Sequence, residues 1–212
     1  MAVTSKTDIC NLASDLLSGA TIADIDNPSS ADEELYARWY DHCRKKALRE
    51  HPWNFAAKRI ILAASSTTPV FGSTVAFPLP ADFMRFITIQ TEEGRQYSTE
   101  EYYLENGSIL LTRDSGGATQ MRLRYVYDIE DVTKFDAMFV DYLAHTIAVS
   151  LAFKITESNT SVQRVEQLKK QQGAIARAVS GQERPPTRIV RSKNRALRLS
   201  SSGSNVSHRI VF

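Results

Sequence analysis

The stretch at 30–55, SADEELYARWYDHCRKKALREHPWNF, decides how this chain folds. Ser30 can cap the free N–H groups of a first helical turn, and Glu33 sits at the capping-box position to reach back. Leu35, Trp39, Cys43 and Ala47 then recur every four residues, and Tyr36, Tyr40 and Leu48 widen the stripe. Arg38, Arg44, Lys45 and Arg49 fall on the other, polar face. Pro52 disfavours helical geometry at His51, so the helix stops there. Trp53 and Phe55 follow at alternate positions, as the entry to an extended segment requires. A helix that ends in an aromatic anchor is a packing device rather than a catalytic one.

Working outward, 5–18 predicts a first helix, because Ile9, Leu12, Ala13, Leu16 and Leu17 follow the helical template and Gly19 can end it. A short loop leads into the second helix, so the two are expected to pack as an antiparallel pair. After Phe55 the period changes. Ile60, Ile61 and Leu62 predict a short buried strand, and Pro78 and Pro80 predict that 75–85 is extended and unpaired. Phe86 to Gln90 reads as a strand. Asn106-Gly107, between Tyr102–Glu105 and Ser108–Leu111, is the strongest hairpin signal. In QMRLRYVY, 120–127, Met121, Leu123, Tyr125 and Tyr127 form an apolar face opposite Arg122, Arg124 and Val126.

The apolar stretch 135–155 predicts the most buried helix, a core element rather than a membrane span, since it holds Asp141, His145 and Lys154. A fourth helix is expected at about 161–180, with Thr160 and Gln163 as its capping box and Gly181 as its stop. Val162, Val165, Leu168, Gln172, Ile175 and Val179 form its narrow stripe, which packs along one seam. The expected fold is therefore α+β. A four-helix bundle core (about 5–18, 30–51, 135–155 and 161–180) carries a small, mostly antiparallel sheet inserted at about 56–130 between its second and third helices. Residues 1–181 make one body, and 182–212 an extended basic tail.

Charge is divided unevenly. Residues 182–212 hold seven Arg or Lys and one Glu, whereas the rest holds 19 basic and 23 acidic residues, so +6 is joined to −4. Such a tail suggests a partner. It can neutralise phosphates as a nucleic-acid arm. It can also lie extended along a protein through Arg184, Arg188, Ile189, Val190, Arg191, Arg195, Leu197, Arg198, Leu199, Ile210 and Phe212, and the interleaved aliphatics favour this second mode.

Chemistry finds little support. There is no phosphate-binding glycine loop and no Cys-x-x-Cys, and His42 and Cys43 are adjacent, so they point apart on a helix. Cys10 and Cys43 read as buried free thiols, expected of a protein made in a reducing compartment. Asp24, Asp26, Asp32, Glu33 and Glu34 could supply paired carboxylates for glycoside hydrolysis, but Asp32, Glu33 and Glu34 suit a first helical turn better. His145 is expected as a core histidine bonded to Asp141. No catalytic residue, cofactor or metal ligand is predicted.

Four segments together carry a resemblance: Ile9-Cys10-Asn11-Leu12-Ala13, the loop 25–30 (IDNPSS), the segment 47–56 (ALREHPWNFA) and the segment 79–85 (LPADFMR). The chain resembles the head-to-tail adaptor proteins of tailed bacteriophages, the tail tubular protein A type of short-tailed phages, over about residues 5–180. The resemblance implies a structural virion protein made in the host cytoplasm, a ring of about twelve copies at the head–tail junction. Its implied partners are the portal protein, the tail nozzle protein, further copies of itself and the double-stranded DNA passing through, with no membrane. A ring would make Arg38, Arg44, Lys45 and Arg49, with Val165, Leu168, Ile175 and Val179, candidates for contacts between subunits, while Trp39, Trp53, Phe55 and Phe83 read as structural anchors.

Overall fold

The computed structural model describes residues 3–67, 69–112 and 117–183. Over the described residues the fold is α+β, with four α-helices and two three-stranded antiparallel sheets. The expected single sheet is thus two. The tail residues named above, from Arg184 onward, lie outside the described residues.

Helix α1 (Lys6–Leu16) opens with a capping box that sequence reading missed: Ser5 accepts from the Asp8 backbone, and Asp8 reaches back. Its end turns on Ser18, which takes the left-handed conformation at φ 55°, and not on Gly19. Gly19 is needed for space, since a Cβ there would lie 2.6 Å from the Ser14 hydroxyl. Helix α2 (Ala31–Glu50) has the expected Ser30–Glu33 box and stops at His51, whose backbone is extended as Pro52 requires.

Helix α3 (Ala137–Thr156) is the centre of the helical layer, with α1, α2 and α4 (Asn159–Gln182) all packed on it. The expected antiparallel pairing of α1 with α2 does not form the main contact; each instead packs chiefly on α3, the most apolar surface available. Helix α4 is capped by Ser158 rather than Thr160, and it runs through Gly181. Its packed seam also differs from the predicted stripe. Val165, Gly173, Ala176 and Ser180 are buried, whereas Ile175 is 50% exposed. Small residues win because α3 approaches closely: a Cβ on Gly173 would lie 2.8 Å from the Tyr142 ring.

Strands β1 (Ala57–Ala63), β6 (Gln120–Tyr127) and β3 (Phe83–Gln90) form one sheet in the order β1-β6-β3. Strands β2 (Val75–Pro78), β5 (Ser108–Leu111) and β4 (Tyr102–Glu105) form the other, in the order β2-β5-β4. The Asn106-Gly107 hairpin forms as read, with φ of 45° and 68° at the two loop residues. The segment at 75–78, expected to be unpaired, instead pairs with β5 from Val75↔Leu111 to Pro78↔Ser108. Proline is tolerated there because β2 is an edge strand. Ile61, expected to be buried, is 63% exposed, because alternation along β1 turns only Ile60 and Leu62 inward.

Leu62, Ile89, Met121, Leu123 and Tyr125 of the first sheet share one apolar cluster with Phe77, Ile109 and Leu111 of the second. Val126 points the other way and belongs to the helical core. Strand β6 therefore serves both cores.

Candidate interaction surfaces

The segments 47–56 and 79–85 meet where the helices join the sheets, Arg49 donating to the Met84 carbonyl and Arg85 to the Arg49 and Glu50 carbonyls. Trp53 is fully buried, and its indole N–H donates to the Ala47 carbonyl at 2.9 Å. Its ring lies 5.1 Å from Phe139 and 5.9 Å from Tyr142, edge-on and tilted, and Phe55 stacks against it while meeting Phe139 at a tilt. Both aromatics thus hold the entry to β1 against α3. The Phe83 ring stacks on Tyr125 at 5.8 Å. Asp82 accepts from the Tyr125 hydroxyl at 2.8 Å and from Lys58 at 2.9 Å, while its carbonyl accepts from the Asp128 N–H. Burial would raise the Asp82 carboxyl, but the Lys58 and Tyr125 hydrogen bonds outweigh it and leave it below its ordinary value. Trp39 is only half-buried, packed on the outside of the core with its ring edge-on to His42.

The basic residues of α2 divide. Arg38 is exposed. Lys45 is half-exposed and pairs with Asp128 at 3.3 Å. Arg49 is exposed and donates to the Met84 carbonyl at 3.0 Å. Arg44, expected on the outer face, is instead 1% exposed, which removes it from the subunit-contact candidates. Its guanidinium donates to Asp128 at 2.5 Å, to the Ile129 carbonyl at 2.6 Å and to Asp41 at 3.2 Å. The spacing held the signal. Tyr36, Tyr40, Arg44 and Leu48 form one row at intervals of four, all buried, so an arginine flanked by apolar residues on both sides in its row lies inside. Arg44 clamps the segment after β6 onto α2.

Glu33 has a wider role than its cap. Its carboxylate accepts from the backbones of Ala23, Ser29 and Ser30, organising the whole connection between α1 and α2. The Ser29 and Ala23 hydrogen bonds, with others, bring its pKa down to about 2. That network makes the carboxylate a structural acceptor for this connection. Asp24 is held below its ordinary value by the Asn27 side chain and the Asp26 N–H, an ordinary turn. His145 is half-buried rather than in the core, and its Nδ1 meets the Asp141 carbonyl at 2.7 Å, not the carboxylate. Among the described residues no three His, Cys, Asp or Glu side chains gather as metal ligands. Cys10 and Cys43 are buried and free, and burial raises the Cys10 thiol to about 12.

Of the seam residues on α4, Val165 is buried in the chain's own core, so it faces no neighbour. Leu168 and Val179 are half-buried, and Ile175 is open together with Phe153 of α3, 61% exposed. Between these helices and the end of α2 lies a cleft of about 390 Å³ lined by Glu50, Tyr142 and Lys169. Tyr142 donates to Glu50, and the Lys169 ammonium stands 5.5 Å over the Tyr142 ring. Burial lowers the Lys169 pKa despite Glu50 beside it.

Comparison of the chain with protein-family models finds no match, and comparison with curated proteins finds none either.

Proposed function

We propose that the chain is a structural subunit of a bacteriophage virion, one copy in a ring-shaped head-to-tail adaptor that joins the portal to the tail nozzle and continues the DNA channel. The observation that carries the reading is what two of the four resembling segments, 47–56 and 79–85, do. Trp53 and Phe55 are packed into the helical core, and Asp82 is tied to Lys58 and Tyr125 of the sheets. Both segments therefore act to join two layers into one stiff wedge, the mechanical property a ring subunit needs. Residues 1–181, at −4, suit a channel wall along which DNA slides without sticking. Arg38, Lys45, Arg49, Ile175 and Phe153 are surface groups available to neighbouring copies.

Negative-stain imaging and mass measurement of the purified protein, with and without portal, test this. A ring is expected on portal; a monomer that leaves portal bare would overturn the reading. Deleting 184–212 is expected to leave the body folded and abolish joining to portal. The +6 charge of 182–212 favours one second reading, a nucleic-acid-binding virion protein that uses this tail. It requires DNA affinity falling by about one log unit per log of salt for each phosphate contacted.

A further inference from the structure

The outward face of the β1-β6-β3 sheet is covered by helices at one end only. Val126 and its partner Ala57 lie at the covered end. Two registers further on, the face is open, a shallow concavity of about 670 Å³. One row across it reads Arg59, Arg124, Thr88, and the next Ile61, Arg122, Gln90.

Arg59 stands directly opposite Arg124, which places their Cβ atoms about 5 Å apart, where like charges destabilise a sheet. Arg122 is two residues along the same strand, about 7 Å away on the same face. Among the described residues every ion pair forms elsewhere, and no carboxylate lies against any of the three guanidiniums. The contrast with Arg44, which holds three oxygen acceptors, is complete. A trio of facing arginines without counter-charge costs stability in the free chain, and an anionic partner removes that cost.

We propose that this face docks an acidic polypeptide segment, whose carboxylates pair with Arg59, Arg122 and Arg124 and whose apolar side chain covers Ile61. Three observations choose polypeptide over nucleic acid. Ile61, 63% exposed beside the guanidiniums, offers an apolar anchor of no use to a phosphate backbone. The two rows hold no aromatic ring on which a base could stack. The surrounding body is net acidic, which repels a polyanion at long range but tolerates a short segment. Arginine suits the task, because its planar fork meets a carboxylate in two parallel hydrogen bonds. The proposal does not depend on the adaptor reading.

The test uses the full-length chain, a labelled peptide of Glu-Glu-Leu repeats and a short DNA duplex. The double variant Arg59→Gln/Arg124→Gln is compared with the wild type, so that whatever 184–212 contributes to binding cancels. Peptide affinity is expected to fall about tenfold in the variant, since two desolvated charge pairs are lost. The free variant is expected to melt about 1–3 °C higher, because the facing like charges are gone. Retained peptide affinity would overturn the proposal. So would a loss confined to the duplex, which would assign the face to nucleic acid instead. A lower melting temperature would show that the arginines are satisfied within the chain and would remove the premise. None of these results depends on whether a ring forms on portal.

Discussion

The helical layer and the sheet next to it treat charge in opposite ways. In the helical layer, Arg44 and Glu33 are both buried, and each is held by several hydrogen bonds within the chain itself. On the open end of the sheet, three arginines share one face with no carboxylate among the described residues to meet them. A buried charge must be satisfied at once, because desolvation is too costly otherwise, whereas an exposed one can wait for a partner. The difference separates charges that hold the fold from charges that are available to something else.

Breaking the junction between the two regions should have the largest effect. Trp53→Ala removes the wholly buried indole and its bond to Ala47, and a loss of about 3–5 kcal/mol in urea unfolding is expected. Next is Arg44→Met, which takes the clamp from Asp128 and the Ile129 carbonyl; about 2–3 kcal/mol should be lost. If that variant were as stable as the wild type, the buried guanidinium would not be holding the layers together. Gly173→Ala drives a methyl group into the Tyr142 ring, and a net loss of about 1–2 kcal/mol is expected despite the better helix former.

Acid releases Glu33 together with the other carboxylates held low, so the readout must be local to its partners. Its carboxyl is depressed from 4.5 to about 2 in the folded chain, so its contribution is fully present above pH 4.5 and is lost as pH falls towards 2. Backbone amides of Ala23 and Ser29 should exchange faster through that window, and Glu33→Gln should flatten the change. The smallest effect has the opposite sign. Arg124→Gln should stabilise the free protein by about 0.5 kcal/mol, because it relieves the contact with Arg59. A destabilisation like that of Arg44→Met would erase the contrast between the two regions.

Much of this architecture was legible in local signals. The Ser30–Glu33 box, the stop before Pro52 and the Asn106-Gly107 turn depend on residues within a few positions of each other, and all three formed as read. The differences share a cause. Charge alone points Arg44 outward although its row is apolar, and hydrophobicity alone picks the wrong α4 seam, because close approach to Tyr142 selects Gly173 and leaves Ile175 open. The basic face of QMRLRYVY was legible from alternation, but its meaning was not. Only the pairing of β6 with β1 sets Arg59 against Arg124 and leaves Ile61 beside Arg122.

The sequence by itself therefore determined the element types, the main helix boundaries, the hairpin and the acidic body with its basic tail, because short-range spacing and composition govern those. Tertiary structure alone decided which charges are buried, that α1 and α2 pack on α3 rather than mainly on each other, that the strands divide into two sheets, and which face stays open. These depend on what packs against each element from tens of residues away. Asp128 reaching Arg44 and β6 joining β1 to β3 are contacts that no local pattern encodes.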